Sequence, residues 1–346
     1  MVEKILTIVI PSYNMQQYLP QCLNSLLVRN LDRVEVLVVN DGSSDRTSEI
    51  GHEYEDRFPE SIIVVDKENG NYGSCINTAL RIASGKYIKI LDADDSFEKE
   101  NFEKFITYLE RVDVDLVVSN YVIVNSLGKI TSQRIFSHTE YQEQSFENIL
   151  TIIKRTGTFE MHCVTYKREI LKNIGYYQME GISYTDQQWM LVPMAYVNSV
   201  AYFSLFVYRY LIGREGQTVA LESRLRSIKQ HAKMCLGLVD EYNKIYFKIS
   251  EEKKCYLDYR IVNCQLPYIY RTYLLKQSNL KKYIELKEFD EALKKKNYCI
   301  YNSLKKEKVI AFFPFHYITY WRKYCNSKRR LLFLKYLSQV IKLLEK

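Results

Sequence analysis

Three short apolar segments, each followed at once by polar residues, limit the fold of this chain more than any other feature. They are residues 5–10 (ILTIVI), 34–39 (VEVLVV) and 87–91 (YIKIL). Runs of Val, Ile and Leu with little polar alternation are typical of strands that are buried on both faces of a sheet. Residues 17–28, with leucines at helical spacing, separate the first two runs. This alternation predicts an α/β fold, with helices flanking a mostly parallel sheet and right-handed crossovers.

Polar residues gather where each of these predicted strands ends. Residues 11–14 (PSYN) follow the first run, residues 40–45 (NDGSSD) the second and residues 92–95 (DADD) the third. The carboxyl ends of parallel strands meet at one edge of a sheet, and α/β proteins bind their ligands there. As an alternative, the acidic segment ends its strand and caps the next helix through Asp95 or Ser96. Three polar clusters at one edge favour a binding site over three unrelated turns.

The acidic segment itself indicates a cation. Asp92, Asp94 and Asp95 follow an apolar strand, and carboxylates crowded at such a point repel one another unless a cation or hydrogen-bond donors hold them. Magnesium and manganese prefer oxygen ligands and share their remaining coordination positions with substrate phosphate. The expected cofactor is therefore Mn²⁺ or Mg²⁺, bound together with a phosphorylated ligand.

Other nucleotide-binding classes lack their motifs in this sequence. PSYNMQQ follows the first strand, where a dinucleotide-binding fold carries G-x-G-x-x-G, and no P-loop lysine pattern occurs. A nicotinamide or flavin enzyme and a P-loop NTPase are therefore disfavoured. A nucleotidyltransferase is disfavoured as well, because no basic glycine-rich phosphate loop stands near the first strand. A nucleotide that is held through a metal remains consistent with the sequence.

Cysteines, histidines and charge indicate an intracellular protein without a zinc site. The 346 residues include 8 cysteines with no CxxC pair and 5 histidines, none at zinc-ligand spacing. We expect reduced thiols and a cytoplasmic location, because the first residues show no signal-peptide pattern. His162 is expected to be a satisfied buried side chain. The net charge of +8, with much of the excess late in the chain, indicates a local basic surface and no nucleic-acid partner.

Several segments together resemble glycosyltransferase family 2. IVIPSYNMQQYLPQCLNSLL, VEVLVVNDGSSDRT, ENGNYGSCINTALRIASGKYI and LDADD stand in that family's order and spacing. LVVSNYVIV, YKREILKNIGYY, ISYTDQQWM and YRYLIGREGQTV are similar to its later segments. The resemblance implies a Rossmann-like GT-A fold and transfer of a sugar from a nucleoside-diphosphate sugar, with UDP as the expected nucleotide.

The resemblance also implies roles for individual residues. Pro11, Tyr13 and Asp41 are expected around the nucleobase and ribose, next to Asn40, where many relatives have Asp. Asp94 is expected to bind the metal on the donor diphosphate, and Asp92 to face the ribose or a metal-bound water. With the polar and glycine residues beside these positions, the full donor site that we expect is Pro11, Tyr13, Asn14, Asp41, Asn71, Gly73, Asp92, Asp94 and Arg214. Arg214 would grip diphosphate oxygens, with a surface role in a loop as its alternative.

Asp186 matches the family's general base and follows Thr185, where many relatives have Glu; its alternative role is an N-cap of the next helix. In the chemistry that the resemblance implies, Asp186 takes a proton from an acceptor hydroxyl, which displaces the nucleoside diphosphate from the sugar. The metal offsets charge on the leaving phosphate. One displacement inverts the anomeric centre. A retaining enzyme would need a nucleophile, for which the sequence has no distinct candidate.

Past residue 219 the pattern changes to long helical runs. We expect a catalytic domain over residues 1–219 and a helical region over 220–346. Its basic end, with apolar residues on one helical face, is expected to dock on an anionic membrane surface at the inner face of the cell membrane. Packing within the helical region or a homodimer through these helices are the alternatives. Residues 309–321 (VIAFFPFHYITYW) are too short, and interrupted by proline, to span a bilayer.

The function that we expect is an inverting, metal-dependent sugar transfer to a glycan or lipid-linked acceptor in bacterial surface polysaccharide or glycoconjugate synthesis. A non-catalytic GT-A-fold scaffold is the alternative from another class. Four acids near one cleft, Asp41, Asp92, Asp94 and Asp186, favour the enzyme, because a scaffold has no need of them.

Overall fold

In the computed structural model, the predicted buried strands lie side by side in one sheet. The residues that the structure describes are 3–143, 145–214, 217, 225–276, 280–308, 315–327, 332–334, 336, 337 and 339. The chain divides into two compact units, Met1–Gln217 and Thr218–Lys346, and the sheet belongs to the first.

The sheet has ten strands within the described residues. They are β1 (Leu6–Ser12), β2 (Val34–Asp41), β3 (Ile62–Lys67), β4 (Tyr87–Ile90), β5 (Ser96–Phe97), β6 (Leu116–Val124), β7 (Ile130–Arg134), β8 (Tyr141–Glu143), β9 (Val164–Lys167) and β10 (Val200–Leu211). Their order is β3-β2-β1-β4-β9-β6-β10-β5, with β7 on β6 and β8 on β10. Parallel pairs form between β1 and β2, between β2 and β3, between β1 and β4, and between β6 and β10. The short strands β5, β7, β8 and β9 add antiparallel pairs.

Helices flank this sheet, which confirms the predicted α/β fold. In the first unit they are α1 (Leu19–Leu26), α2 (Thr47–Arg57), α3 (Asn71–Ile82), α4 (Lys99–Arg111), α5 (Phe146–Thr156), α6 (Arg168–Asn173) and α7 (Asp186–Leu191). The leucine spacing that predicted α1 is explained by its packing, since Leu19, Leu23 and Leu26 are fully buried. Each such side chain contributes about 1.5–3 kcal/mol through burial.

Two helix starts differ from the sequence-based expectation. The sequence predicts a loop over residues 68–73 and a helix over residues 74–83, but α3 begins at Asn71, whose left-handed conformation (φ 66°) turns the chain into the helix. α4 is capped by Glu98, whose side chain accepts from the Asn101 amide at 2.9 Å, and not by Asp95 or Ser96. The reason is that Ser96 lies in β5, which pairs with β10, and the Asp95 carboxylate bonds elsewhere.

The second unit is helical, as predicted. Its longer helical segments are Ile228–Ile245, Glu251–Asp258, Leu280–Lys296 and Tyr317–Tyr324, and two stretches of π-helix, Tyr259–Gln265 and Thr272–Lys276, flank the short helix Leu266–Arg271.

A largely buried ion pair lies inside the second unit. Arg322 donates to Asp290 at 2.7 and 2.9 Å, and its guanidinium lies 3.6 Å from the ring centroid of Tyr301. Because both charges are removed from water, loss of either partner would leave the other uncompensated.

The predicted membrane-docking end lies mostly outside the described residues. The residues outside the described part include Lys328, Arg329, Arg330, Val340, Ile341, Leu344 and residues 309–314. Of the expected apolar face, Phe333 is 45% exposed and contacts the rings of Phe315 and Tyr320 at 5.4 Å. None of the described helices has the length and apolar character needed to span a bilayer. Membrane docking and a homodimer therefore stay predictions.

A buried lysine sits in the middle of the sheet, beneath the acidic segment. Lys89 on β4 is fully buried and donates to the carbonyl oxygens of His162 (2.9 Å) and Val164 (3.2 Å). Burial lowers the pKa of Lys89 to about 7, well below its ordinary value of 10.5. The folded protein therefore releases this proton at lower pH than the unfolded chain does.

This difference predicts a pH-dependent stability. Between about pH 7 and pH 10 the unfolded chain binds the extra proton, so the Lys89 contribution to the free energy of unfolding should rise with pH, by at most about 1.4 kcal/mol per unit. Urea unfolding of the wild type and of Lys89→Met at pH 7, 8 and 9 measures it as a difference that grows in favour of the wild type. Lys104→Met, at an exposed position of α4, is the control. A pH-independent difference for Lys89→Met would contradict the assignment.

Candidate active site

The loops after β1 and β2 are tied together at the carboxyl edge of the sheet, as the sequence predicted. The Asn14 amide donates to Ser43 Oγ at 2.9 Å, and Asn14 Oδ1 accepts from the Ser44 amide at 2.9 Å. Asp45 accepts from the Gln16 amide at 3.1 Å. Asn14 therefore shapes this loop, with φ at 53°. Pro11 lies at the end of β1 opposite Val39, and the ring of Tyr13 is 51% exposed beside it.

Asp41 is buried at the end of β2 and already has internal partners. Its Oδ1 accepts from Lys67 Nζ at 2.7 Å and from the Gly70 amide at 2.9 Å, and Ser74 Oγ lies at 3.4 Å. Lys67 ends β3, so its ammonium compensates the buried charge of Asp41. Lys67 is a residue of this pocket that sequence reasoning missed.

The three acids after β4 lie together and are held by partners from distant segments. Asp95 accepts from the Tyr208 hydroxyl at 2.6 Å and from the Leu211 amide at 2.7 Å, both on β10. Asp92 accepts from the Tyr72 hydroxyl at 2.8 Å, on the first turn of α3. Asp94 forms a largely buried ion pair with Arg214. The sequence-predicted Asp92, Asp94 and Arg214 are thus brought to one place.

Charge and burial make this cluster electrostatically unfavourable without a cation. Burial raises the pKa of Asp92 to about 7, and the neighbouring charge of Asp94 adds to the rise. Burial, followed by the charges of Asp94 and Asp92, also raises the pKa of Asp95. A divalent cation here would favour the ionised carboxylates, so the residues present fit Mn²⁺ or Mg²⁺.

A group of three side chains that could hold a cation shares Asp92 with the pair that the sequence predicted. Asp92, Asp95 and His162 each offer one atom within 4.8 Å of the others. His162 stacks on Tyr210 at 4.1 Å between ring centroids, and its buried Nδ1 has no hydrogen-bond partner. The expectation that His162 is a satisfied buried side chain is therefore wrong. Burial, with the charge of Lys89, lowers the pKa of His162 to about 3, so its ring is neutral.

Asp186 opens α7 and is half-buried, with Oδ2 accepting from Gln187 Nε2 at 2.8 Å. Side-chain amides on α3 and α7 hold the preceding segment, residues 177–179, in place. Asn77 of α3 donates to the Gln178 carbonyl at 2.8 Å and accepts from the Gln178 amide at 2.8 Å. Gln188 accepts from the Met179 amide at 2.7 Å and donates to the Tyr177 carbonyl at 3.0 Å. These bonds fix the backbone that carries Asp186.

Backbone contacts also join α3 to the segment that precedes Asp186. A Cβ on Gly73 would lie 1.9 Å from the Met179 carbonyl oxygen, so only glycine allows α3 to approach the segment so closely. The Gly181 amide donates to the Gly70 carbonyl at 2.9 Å. Tyr184 is left-handed (φ 68°), which is unusual for an aromatic residue and is found where tertiary structure imposes the conformation. Gly73 therefore lies where the first turn of α3 meets the segment that precedes Asp186.

Sequence reasoning missed Lys67, Tyr72, Asn77, Gln188 and the place of His162 beside Asp92 and Asp95. Tyr72 had a visible signal, because it stands between the two singled-out positions Asn71 and Gly73. The others gave none, since their spacing to the acids in sequence is irregular.

A sheet in this order, with an acidic Asp-x-Asp segment at its carboxyl edge, defines a GT-A fold. Among solved structures, residues 1–349 of TarS from Staphylococcus aureus in complex with UDP-GlcNAc give a TM-score of 0.60 at 22% identity, over 83% of this chain and 81% of that one. The mannosyltransferase PcManGT from Pyrobaculum calidifontis with GDP-Man and Mn²⁺ gives 0.51 at 15% identity, over 96% and 86%. At these identities the likeness concerns the fold alone.

Residues 7–175 match the family model Glycosyl transferase family 2, and this part of the chain belongs to that family. Glycosyltransferase GlyA of Streptococcus pneumoniae is 30% identical over 161 residues, which are 46% of this chain and 23% of GlyA. This chain spans less than two thirds of the length of the curated relatives that it matches first. The family resemblance read from the sequence is confirmed.

The hydrogen bonds that Asn77 and Gln188 accept from the Gln178 and Met179 amides give a testable prediction. In Asn77→Ala the Gln178 amide loses its acceptor, and in Gln188→Ala the Met179 amide loses its own; each buried donor left unpaired costs about 1–3 kcal/mol. Hydrogen exchange followed by NMR should show protection falling about tenfold or more at the orphaned amide. Each variant serves as the control for the other, because the second amide keeps its partner. Equal loss at both amides in either variant would mean that the junction opens as a whole.

Proposed function

We propose that this chain transfers a sugar from a nucleoside-diphosphate sugar to an acceptor hydroxyl. The observation that carries the proposal is the buried acid cluster Asp92, Asp94 and Asp95 at the carboxyl edge of the sheet, next to the polar ends of β1 and β2. Membership of residues 7–175 in glycosyl transferase family 2 supports it. A scaffold protein would gain nothing from buried acids whose charges oppose one another.

For the donor, we propose UDP. The buried Asp41 and the exposed ring of Tyr13 border the edge where a nucleobase would lie, with Pro11 beside them. The TarS structure contains UDP-GlcNAc, whereas PcManGT contains GDP-Man, so the fold accepts both kinds of base. Asp41 Oδ1 accepts from Lys67 Nζ at 2.7 Å, and a carboxylate has further lone pairs that can accept a hydrogen bond from a base N–H.

We assign the metal to the acid cluster, with Asp94 and Asp92 as the ligands expected from sequence and Asp95 and His162 as neighbours. When bound, a divalent ion supplies positive charge that offsets the charge developing on the leaving diphosphate. Asp92 and Asp94 must be ionised to hold it. Arg214 already lies against Asp94, and its guanidinium has donors in a planar arrangement that matches phosphate oxygens.

The proposed chemistry is a single displacement with inversion. Asp186 accepts the proton of the acceptor hydroxyl. Asn77 holds the preceding segment against α3, and Gln188 ties that segment to the helix that Asp186 opens, so the base keeps a fixed position. The acceptor that we propose is a glycan or lipid-linked chain of the bacterial surface. TarS, 27% identical over 214 residues, is named a poly(ribitol-phosphate) β-N-acetylglucosaminyltransferase.

Removing Asp94 should weaken metal-supported nucleotide binding. In Asp94→Asn the affinity for UDP in the presence of Mn²⁺ should fall about tenfold or more, because one anionic ligand becomes neutral. Calorimetry with UDP, once with Mn²⁺ and once with a chelator, measures this. Asp113→Asn is the matched control, since Asp113 is an exposed acid paired with Lys167 at 2.8 Å. Equal UDP affinity of the wild type with and without metal would rule out the metal role.

Removing the proposed base should affect turnover and not binding. Asp186→Asn is expected to lower kcat by roughly a hundredfold or more while UDP affinity stays nearly unchanged, because an amide cannot take the proton. Product nucleotide is measured with a panel of UDP-GlcNAc, UDP-glucose, UDP-galactose and GDP-mannose, and Asp113→Asn again serves as control. Near-normal turnover by a folded Asp186→Asn variant would place the base elsewhere. No turnover of any nucleotide sugar by the wild type would favour the scaffold.

A further inference from the structure

Tyr72 joins three segments of the candidate site through one hydroxyl group: α3, the end of β4 and the segment of Met161. The residue lies on the first turn of α3, between the left-handed Asn71 and Gly73. Its hydroxyl donates to Asp92 Oδ1 at 2.8 Å, and the sulfur of Met161 lies at 2.9 Å from the hydroxyl oxygen. A carboxylate is the much stronger acceptor of the two, so the proton points to Asp92 and Met161 supports the group from another side.

The same hydroxyl lies within electrostatic range of the proposed base. Burial raises the pKa of Tyr72 well above its ordinary value, and the negative charges of Asp92 and Asp186 both add to the rise. One phenol therefore contacts Asp92 and lies within electrostatic range of Asp186. In a displacement reaction the reacting sugar carbon must lie between these two acids.

The backbone around Tyr72 makes this arrangement rigid. Gly73 touches the Met179 carbonyl, and Asn77, one turn further along α3, is locked to Gln178 by two hydrogen bonds. The helix that carries Tyr72 is thus joined to the segment that carries Asp186. The hydrogen bond from Tyr72 to Asp92 then holds Asp92 at a fixed position relative to Asp186.

We infer that Tyr72 is a positioning residue, which sets the Asp92 carboxylate relative to Asp186 and so fixes the distance between the leaving diphosphate and the attacking acceptor. This inference rests on the proposed sugar transfer and deepens it. Tyr72 does not exchange a proton in the reaction. Its hydroxyl orients one carboxylate oxygen, which leaves the binding of nucleotide mainly to the other residues of the site.

The experiment compares Tyr72→Phe with Tyr87→Phe. Tyr87 is a matched control because it is also a buried tyrosine. Within the described part of the chain its hydroxyl bonds to the backbone of Val112 and Val114, at the other end of β4. For Tyr72→Phe we expect kcat for nucleotide-sugar turnover to fall about tenfold or more, while the Kd for UDP with Mn²⁺ changes less than about threefold. For Tyr87→Phe we expect a lower Tm and an unchanged kcat.

A second comparison separates positioning from a general structural effect. In an Asp186→Asn background, Tyr72→Phe should lower the residual rate by less than about twofold, because the base whose distance it sets is gone. Additive losses, a normal kcat in Tyr72→Phe, or a fall in UDP affinity that accounts for the lost rate would each overturn the inference alone. Absence of turnover in the wild type would overturn the proposed function and this inference with it.

Discussion

Three carboxylates at the end of one buried strand are the constraint on which the rest of the candidate site depends. Burial and mutual repulsion both disfavour their ionised forms, so each needs a donor or a cation. β10 supplies the Tyr208 hydroxyl and the Leu211 amide to Asp95. The first turn of α3 supplies the Tyr72 hydroxyl to Asp92, and Arg214 follows β10 to pair with Asp94. The acid cluster thus joins elements that lie far apart in sequence.

A second set of contacts joins the acid cluster to the proposed base. α3 reaches Asp92 through Tyr72 and reaches the Asp186 segment through Asn77, with Gly73 allowing the two backbones to touch. Asn77 and Gln188 are buried amides that satisfy both a backbone donor and a backbone acceptor, so any slip of the segment would leave polar groups unpaired. The acid cluster and the proposed base are therefore both tied to one helix, α3.

The limits of the sequence-based predictions follow from the range of the interactions concerned. Strands β1, β2 and β4 were predictable, because burial on both faces leaves a continuous apolar run in the sequence itself. The start of α3 was misplaced by three residues, because a left-handed Asn71 opens the helix where a loop was expected. The expectation that His162 is a satisfied side chain was wrong as well, since its surroundings beside Asp92 and Asp95 depend on β9 lying antiparallel to β4.

The sequence by itself determined the α/β class, the polar edge of the sheet, the acidic segment after β4 and the family of residues 7–175. These properties follow from the periodicity of apolar residues and from motifs whose residues are neighbours along the chain. Only the tertiary structure decided that Lys67 compensates Asp41, that Arg214 pairs with Asp94, and that Tyr72 and Asn77 connect the acids to the Asp186 segment. The physical reason is that hydrogen bonds and ion pairs act over a few ångströms in space, and sequence separation carries no information about that distance.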